Sequence, residues 1–247
     1  MNLNDILTLM WKDLRELPRI YGDSKMGVVG FLFPVLIIGV LLPLQMGEEW
    51  LKPGLTLIFA GWFPIIMVFT IVADSFAGER ERKTLEALLA TRLSDRDILA
   101  AKLLTSILFA LSFVALLEVT GLITLNLRHL GEGRLLFFEP RLFLALLVLP
   151  PLAAFAASGV GVLISLRASS VRQAQQTLVM SGMLIFFVPT MILPMLPKEM
   201  REAVFGFFMA GGVELLVAAI SFFMLLIGVV TVLAASRLFR RARLILD

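Results

Sequence analysis

The chain has no cysteine and a single histidine, His129. Without cysteine there is no disulfide framework and no thiolate ligand set. With one imidazole, the His-rich zinc sites and the histidine-based hydrolytic triads are nearly excluded too. Charge is also scarce: 17% of the residues are charged and 59% hydrophobic, against about 25% and about 45–50% in a soluble domain. Nowhere does Gly directly precede Lys, so the phosphate-cradling loop Gly-x-x-x-x-Gly-Lys-Ser/Thr cannot form. No internal repeat, low-complexity tract or cleavable leader pattern is present. These absences leave no catalytic residue and no metal site to name, and they turn attention to where the apolar residues lie.

They lie in six blocks, at about 26–46, 53–77, 103–127, 142–166, 177–197 and 213–236. Each is long enough, at about 1.5 Å per residue, to cross an apolar layer about 30 Å thick. We therefore expect an all-α, polytopic membrane protein. Residues 1–25 form an amphipathic interfacial helix, 26–236 a six-span domain and 237–247 a basic tail. A pI near 9.6 would suit a nucleic-acid partner, but the basic residues flank the apolar blocks, so none is expected. Segments 1–25, 78–102, 167–176 and 237–247 hold 16 of the 22 Lys and Arg residues, and the alternate connections hold 6. The positive-inside rule then puts both termini in the cytoplasm of a cell with this chain in its plasma membrane.

Over residues 2–18, Leu3, Ile6, Leu7, Met10, Trp11, Leu14 and Leu17 make one apolar face and Asp5, Lys12, Asp13, Arg15 and Glu16 the other. Pro18 is the expected stop. Two placements stand: in the plane of the lipid heads, or against the protein's own cytoplasmic face. The tail, with Arg240, Arg241 and Arg243 beside Leu244 and Ile245, reads as an anchor to anionic lipid. In the fourth block Ala153, Ala157, Gly161 and Ser165 recur every four residues. That row reads as a close-packing ridge, within one protomer or between two. Pro189, Pro194 and Pro197 in the fifth block, and the apolar run 205–212 after it, predict a broken helix. After it comes either a re-entrant hairpin or a loop on the membrane surface.

The segment 78–102 is longer than a connection needs. Glu79 to Lys83 alternate in sign, and Leu85, Leu88 and Leu89 form an i, i+3, i+4 stripe on a short helix. Ser94 with Asp97 predicts a capped start for the next helix, which runs into the third span. A short amphipathic helix between two spans fits either a groove on a partner or the bilayer surface.

Gly78-Glu79-Arg80-Glu81, followed by Lys83-Thr84-Leu85-Glu86-Ala87-Leu88-Leu89 and by Ser94-x-Arg96-x-Ile98-Leu99-x-x-Lys102, resembles the permease subunits of type-2 ATP-binding-cassette exporters. The sodium- and antibiotic-efflux-type permeases are the nearest subgroup. Ser170-Val171-Arg172-Gln173-Ala174-Gln175-Gln176 before span five is a second, weaker likeness. The resemblance implies a half-transporter whose second loop seats a coupling helix in a separate ATPase subunit. On it, Gly78, Glu79, Arg80 and Glu81 are a charged gate segment, and Thr84, Leu85, Leu88 and Leu89 contact the ATPase. Arg172 and Gln173 mark the other cytoplasmic loop. The family's small-proline pair is here Thr91-Arg92. It further implies two copies of the ATPase, which bind ATP and Mg, and a second permease copy, identical or not. This chain itself would bind no cofactor.

Two carboxylates fall in the spans. Asp74 lies about 32 Å from the outer end of span two, at the inner heads, and reads as interfacial. Glu118 lies about 22 Å into span three, where an acid is costly unless it faces the bundle, pairs or is protonated. A structural hydrogen bond and a place in the substrate path both stand for it. An ion-coupled carrier or channel using Glu118 would show repeated broken helices in two halves, and no such symmetry is visible. An intramembrane metalloprotease needs His-Glu-x-x-His, which is absent. A membrane assembly subunit without cargo remains a reading, but it has no need of the charged loop.

Overall fold

The computed structural model describes residues 3–22, 25–84, 90–203 and 212–239. The described residues are helical almost throughout, and no strand occurs among them. Helix α1 is Leu3–Gly22. It is followed by α2 (Gly27–Leu51), α3 (Leu55–Glu81), α4 (Asp95–Arg128), α5 (Pro140–Arg167), α6 (Val171–Met195) and α7 (Gly212–Leu238). Five of these, α2, α3, α4, α5 and α7, are long and apolar enough to cross a membrane. The fifth apolar block falls on α6, where the side chains of 185–190 and 193 lie outside the described residues.

Contacts define two ends. Glu79 of α3 meets Lys102 of α4, and Phe76 of α3 meets Phe239 just after α7. This is the charged end. At the opposite end the Glu139 N–H donates to the Leu51 carbonyl (3.1 Å) and Arg141 pairs with Glu214 (2.9 Å). There Asn126 also ties the connection between α4 and α5 to α4, donating to the Leu136 carbonyl and accepting its N–H (2.9 and 2.8 Å). Helix α5 is the centre of the bundle, packed along α3 on one side and α7 on the other.

Small residues make that position available. In a bilayer no water is expelled between helices, so close backbone approach and dispersion must hold them together. A Cβ on Gly161 would stand 3.0 Å from Cγ1 of Val72, so the row Ala153, Ala157, Gly161, Ser165 lies on α3 within one chain. The neighbouring face of α5 sets Gly159 against Thr231 and Val232 of α7, and Phe155 lies over Gly228.

Three expectations are corrected. Helix α1 does not stop at Pro18 but runs to Gly22, because one missing N–H removes one bond and leaves the following turns intact. It also combines the two placements: Ile6 and Leu9 are buried against the start of α4, while Leu3, Leu7 and Trp11 (59% exposed, with the Arg15 guanidinium over its ring) form an exposed apolar edge. Helix α6 begins at Val171 and continues unbroken to Met195, through Pro189 and Pro194; each proline removes one N–H and leaves the remaining turns intact. The chain bends at Leu196, leaves helical structure at Pro197, and forms a further short helix over 198–203. The hairpin expected from 205 on and the tail arginines lie outside the described residues.

Candidate functional site

Gly78–Glu81, expected in a loop, is instead the last turn of α3, so the connection to α4 shrinks to residues 82–94. The helix persists because its turn Asp74–Gly78 widens to i→i+5 spacing. Ser165 of α5 stands in the gap. Its hydroxyl accepts the Ala77 N–H and donates to the Ala73 carbonyl, both at 3.2 Å. Those two groups would have bonded each other in a regular α-turn, so the hydroxyl stands in for the missing bond. One extra residue rotates the remaining turn of the helix by about 100°. The charged motif is thereby aimed at the neighbouring helices.

Glu79 is buried (7% exposed) and accepts a hydrogen bond from Lys102 Nζ at 2.9 Å. Lys102 (3% exposed) also lies 3.9 Å from Asp13 of α1 and 5.3 Å from the centre of the Phe76 ring. One ammonium thus joins α1, α3 and α4. Arg80 reaches the end of α5, donating to the carbonyls of Leu166 (2.9 Å) and Ala168 (2.6 Å). A guanidinium there meets the negative end of the helix dipole and its orphan carbonyls. Glu81 does the converse at the start of α6, accepting the Val171 N–H at 3.2 Å. The last turn of α3 therefore holds the turn between α5 and α6 at both its ends.

Asp74 is paired rather than merely interfacial. Arg82 donates to both its oxygens at 3.1 Å, across a space that a side chain on Gly78 would fill. Helix α3 then stops on a Schellman motif: Lys83 has φ 56°, the Thr84 N–H returns to the Glu79 carbonyl (2.9 Å) and the Lys83 N–H to that of Arg80 (3.1 Å). Glycine usually holds that left-handed position. A lysine gave no sequence signal for the stop.

Leu85, Leu88 and Leu89 lie outside the described residues. Beyond them Thr91 and Arg92 bend the chain without a proline, and Ser94 caps α4, accepting the Asp97 N–H (3.2 Å) and donating to the Asp97 carboxylate (2.6 Å). In the second loop Gln173 takes the N–H and hydroxyl of Ser169 on its Oε1, both at 2.8 Å, and its own N–H goes to Ser170. Arg172 points to the exposed surface. The motif and the second loop are brought together by Arg80 and Glu81. Glu118 is elsewhere, towards the opposite end of α4. Sequence reasoning missed Ser165 as a hydrogen-bonding group and Lys102 as the counter-ion of the motif.

Chemically, this end of the bundle is a mechanical joint. Charge-assisted hydrogen bonds, about twice as strong as neutral ones, and one ion pair join α1, α4, α5 and α6 to the last turn of α3, from which the segment 82–94 leaves. Among the described residues no cluster of His, Cys, Asp and Glu is arranged to hold a metal ion.

The family model described as ABC-2 type transporter matches residues 4–201, which include α1 to α6 and the whole joint. No curated protein and no solved structure matches the chain.

Proposed function

This chain belongs to the ABC-2 type transporter family, and on that premise we propose that it is the permease subunit of an ATP-driven exporter, closest to the sodium- and antibiotic-efflux type. It is a multi-pass membrane component and not itself a catalytic ATPase. In the proposed assembly α6 is the sixth crossing, and both termini and the charged end face the cytoplasm of a cell whose plasma membrane holds the chain. Two copies of a separate ATPase bind ATP and Mg. A second permease copy completes the path, and Leu85, Leu88 and Leu89 carry the contact with the ATPase.

The observation that supports this reading is the joint. A helix seated on a moving ATPase would pull on residues 82–94. Glu79–Lys102 passes that pull to α4 and α1, and Arg80 and Glu81 pass it to α5 and α6. The helices then move as packed rigid bodies between inward- and outward-open arrangements. Charge tests the joint without touching the ATPase contact. Glu81→Lys places a cation at the positive end of α6, and transport coupled to ATP hydrolysis by the purified complex is expected to fall about tenfold while the complex stays assembled. Unchanged coupled transport would remove Glu81 from the pathway.

A further inference from the structure

Glu118 is 9% exposed, and its Oε2 has no hydrogen-bond partner among the described residues. A buried acid left so costs several kcal/mol, and the surroundings show what it faces. It lines a cavity of about 320 Å³ between α4 and α5. Phe137, Phe138 and Phe143 form one wall, their rings 5.4 to 5.8 Å apart in edge-on or tilted pairs. Pro150 and Pro151 form another, next to Leu146 and Leu147. A proline has no N–H, so the carbonyls of Leu146 and Leu147, four residues earlier, lose their usual helical donors. The cavity thus combines one acid, two donor-poor carbonyls and a cluster of aromatic faces. It opens sideways past Val119, Leu147 and Phe137, all more than half exposed, in a part of α4 that is apolar on both sides of Glu118.

We propose that this cavity binds an amphiphilic monovalent organic cation: an ammonium head against Glu118, with an apolar body among the three phenylalanines. An inorganic cation needs a shell of several oxygens, and the cavity offers one carboxylate. An organic ammonium needs fewer, because its own apolar body fills the cavity among the rings and excludes water. A zwitterionic lipid head carries the same ammonium, but its phosphate would meet no Lys or Arg in the lining. The lateral mouth suits a ligand that first partitions into the bilayer. The binding claim stands on the cavity alone; only the further step, that the cation is the cargo, rests on the export reading.

The probe is a dansyl-alkylamine, protonated at neutral pH, compared with its terminal-alcohol analogue, which has the same shape and no charge. Fluorescence titration of the purified full-length chain in phosphatidylcholine nanodiscs is expected to show the amine binding about tenfold or more tightly than the alcohol. Glu118→Gln is expected to abolish that preference while leaving the alcohol unchanged. Added phosphatidylethanolamine is expected not to compete; competition would assign the site to lipid heads. Equal affinity of the wild-type chain for the two analogues would overturn the proposal whether or not the variant folds. So would a preference that survives Glu118→Gln. Neither outcome bears on partnership with an ATPase, since no nucleotide or partner is present.

Discussion

Lys102→Met is expected to destabilise the chain by about 3–5 kcal/mol, the cost of breaking a buried ion pair from one side. The ammonium it removes is 3% exposed and is the counter-charge of Glu79, whose second oxygen has no partner among the described residues. Methionine matches the lysine stem and would keep most of the packing on Phe76, so the loss is chiefly electrostatic. Removing the orphaned acid as well should recover most of it. The double variant Lys102→Met, Glu79→Gln is expected within about 1–2 kcal/mol of the parent, because replacing both partners avoids an uncompensated charge. Denaturant unfolding in detergent micelles measures all three. If Lys102→Met alone unfolds at the parent's midpoint, the pair does not hold α1, α3 and α4 together.

Arg80→Ala is expected to act differently, on motion more than on folding. It removes two charge-assisted hydrogen bonds to the last carbonyls of α5, each worth about 1.5–3 kcal/mol. Water at this end of the bundle can replace part of that, so the fold is expected to survive. The charged tie from the last turn of α3 to the end of α5 is lost nonetheless, although Ser165 and the packing of Gly161 on Val72 still join the two helices. In the reconstituted complex, ATP hydrolysis is expected to continue while cargo moved per ATP falls about tenfold, because the ATPase contact is left in place. Arg80→Lys should restore part of the yield, since an ammonium reaches one of two carbonyls where a guanidinium spans both. Full transport by Arg80→Ala would place the transmission elsewhere.

Much of the architecture was legible because a membrane span is a long-range average. A block of some twenty apolar residues announces itself whatever its neighbours do, and the Ser94 cap and the amphipathic face of α1 were readable from spacing of three and four. The joint was not legible, for physical reasons that differ by residue. Glu79 and Lys102 are 23 positions apart, and only the folded bundle makes them neighbours. Ser165 sat in a row of small residues, where its hydroxyl counted as bulk; its role depends on a widened turn in α3, which has no pattern of its own. Charged residues at 78–83 read as loop, because an alternating run is usually solvated, yet each of Glu79, Arg80 and Glu81 has a helix end or counter-ion within reach. Pro189 and Pro194 misled in the other direction: they predicted a break that α6 does not show, since the helix ends only at Met195, before Pro197.

Central to the proposed mechanism is a separate ATPase docked on residues 82–94, which drives the permease. The direct measurement is to solubilise native membranes, recover the tagged chain, and compare what co-purifies with the parent and with Leu88→Asp. Recovery of a cassette ATPase and ATP hydrolysis with the parent, both lost with Leu88→Asp while the variant itself stays folded and membrane-inserted, is the predicted result. A chain recovered alone from membranes, with no ATPase and no hydrolysis, would contradict it.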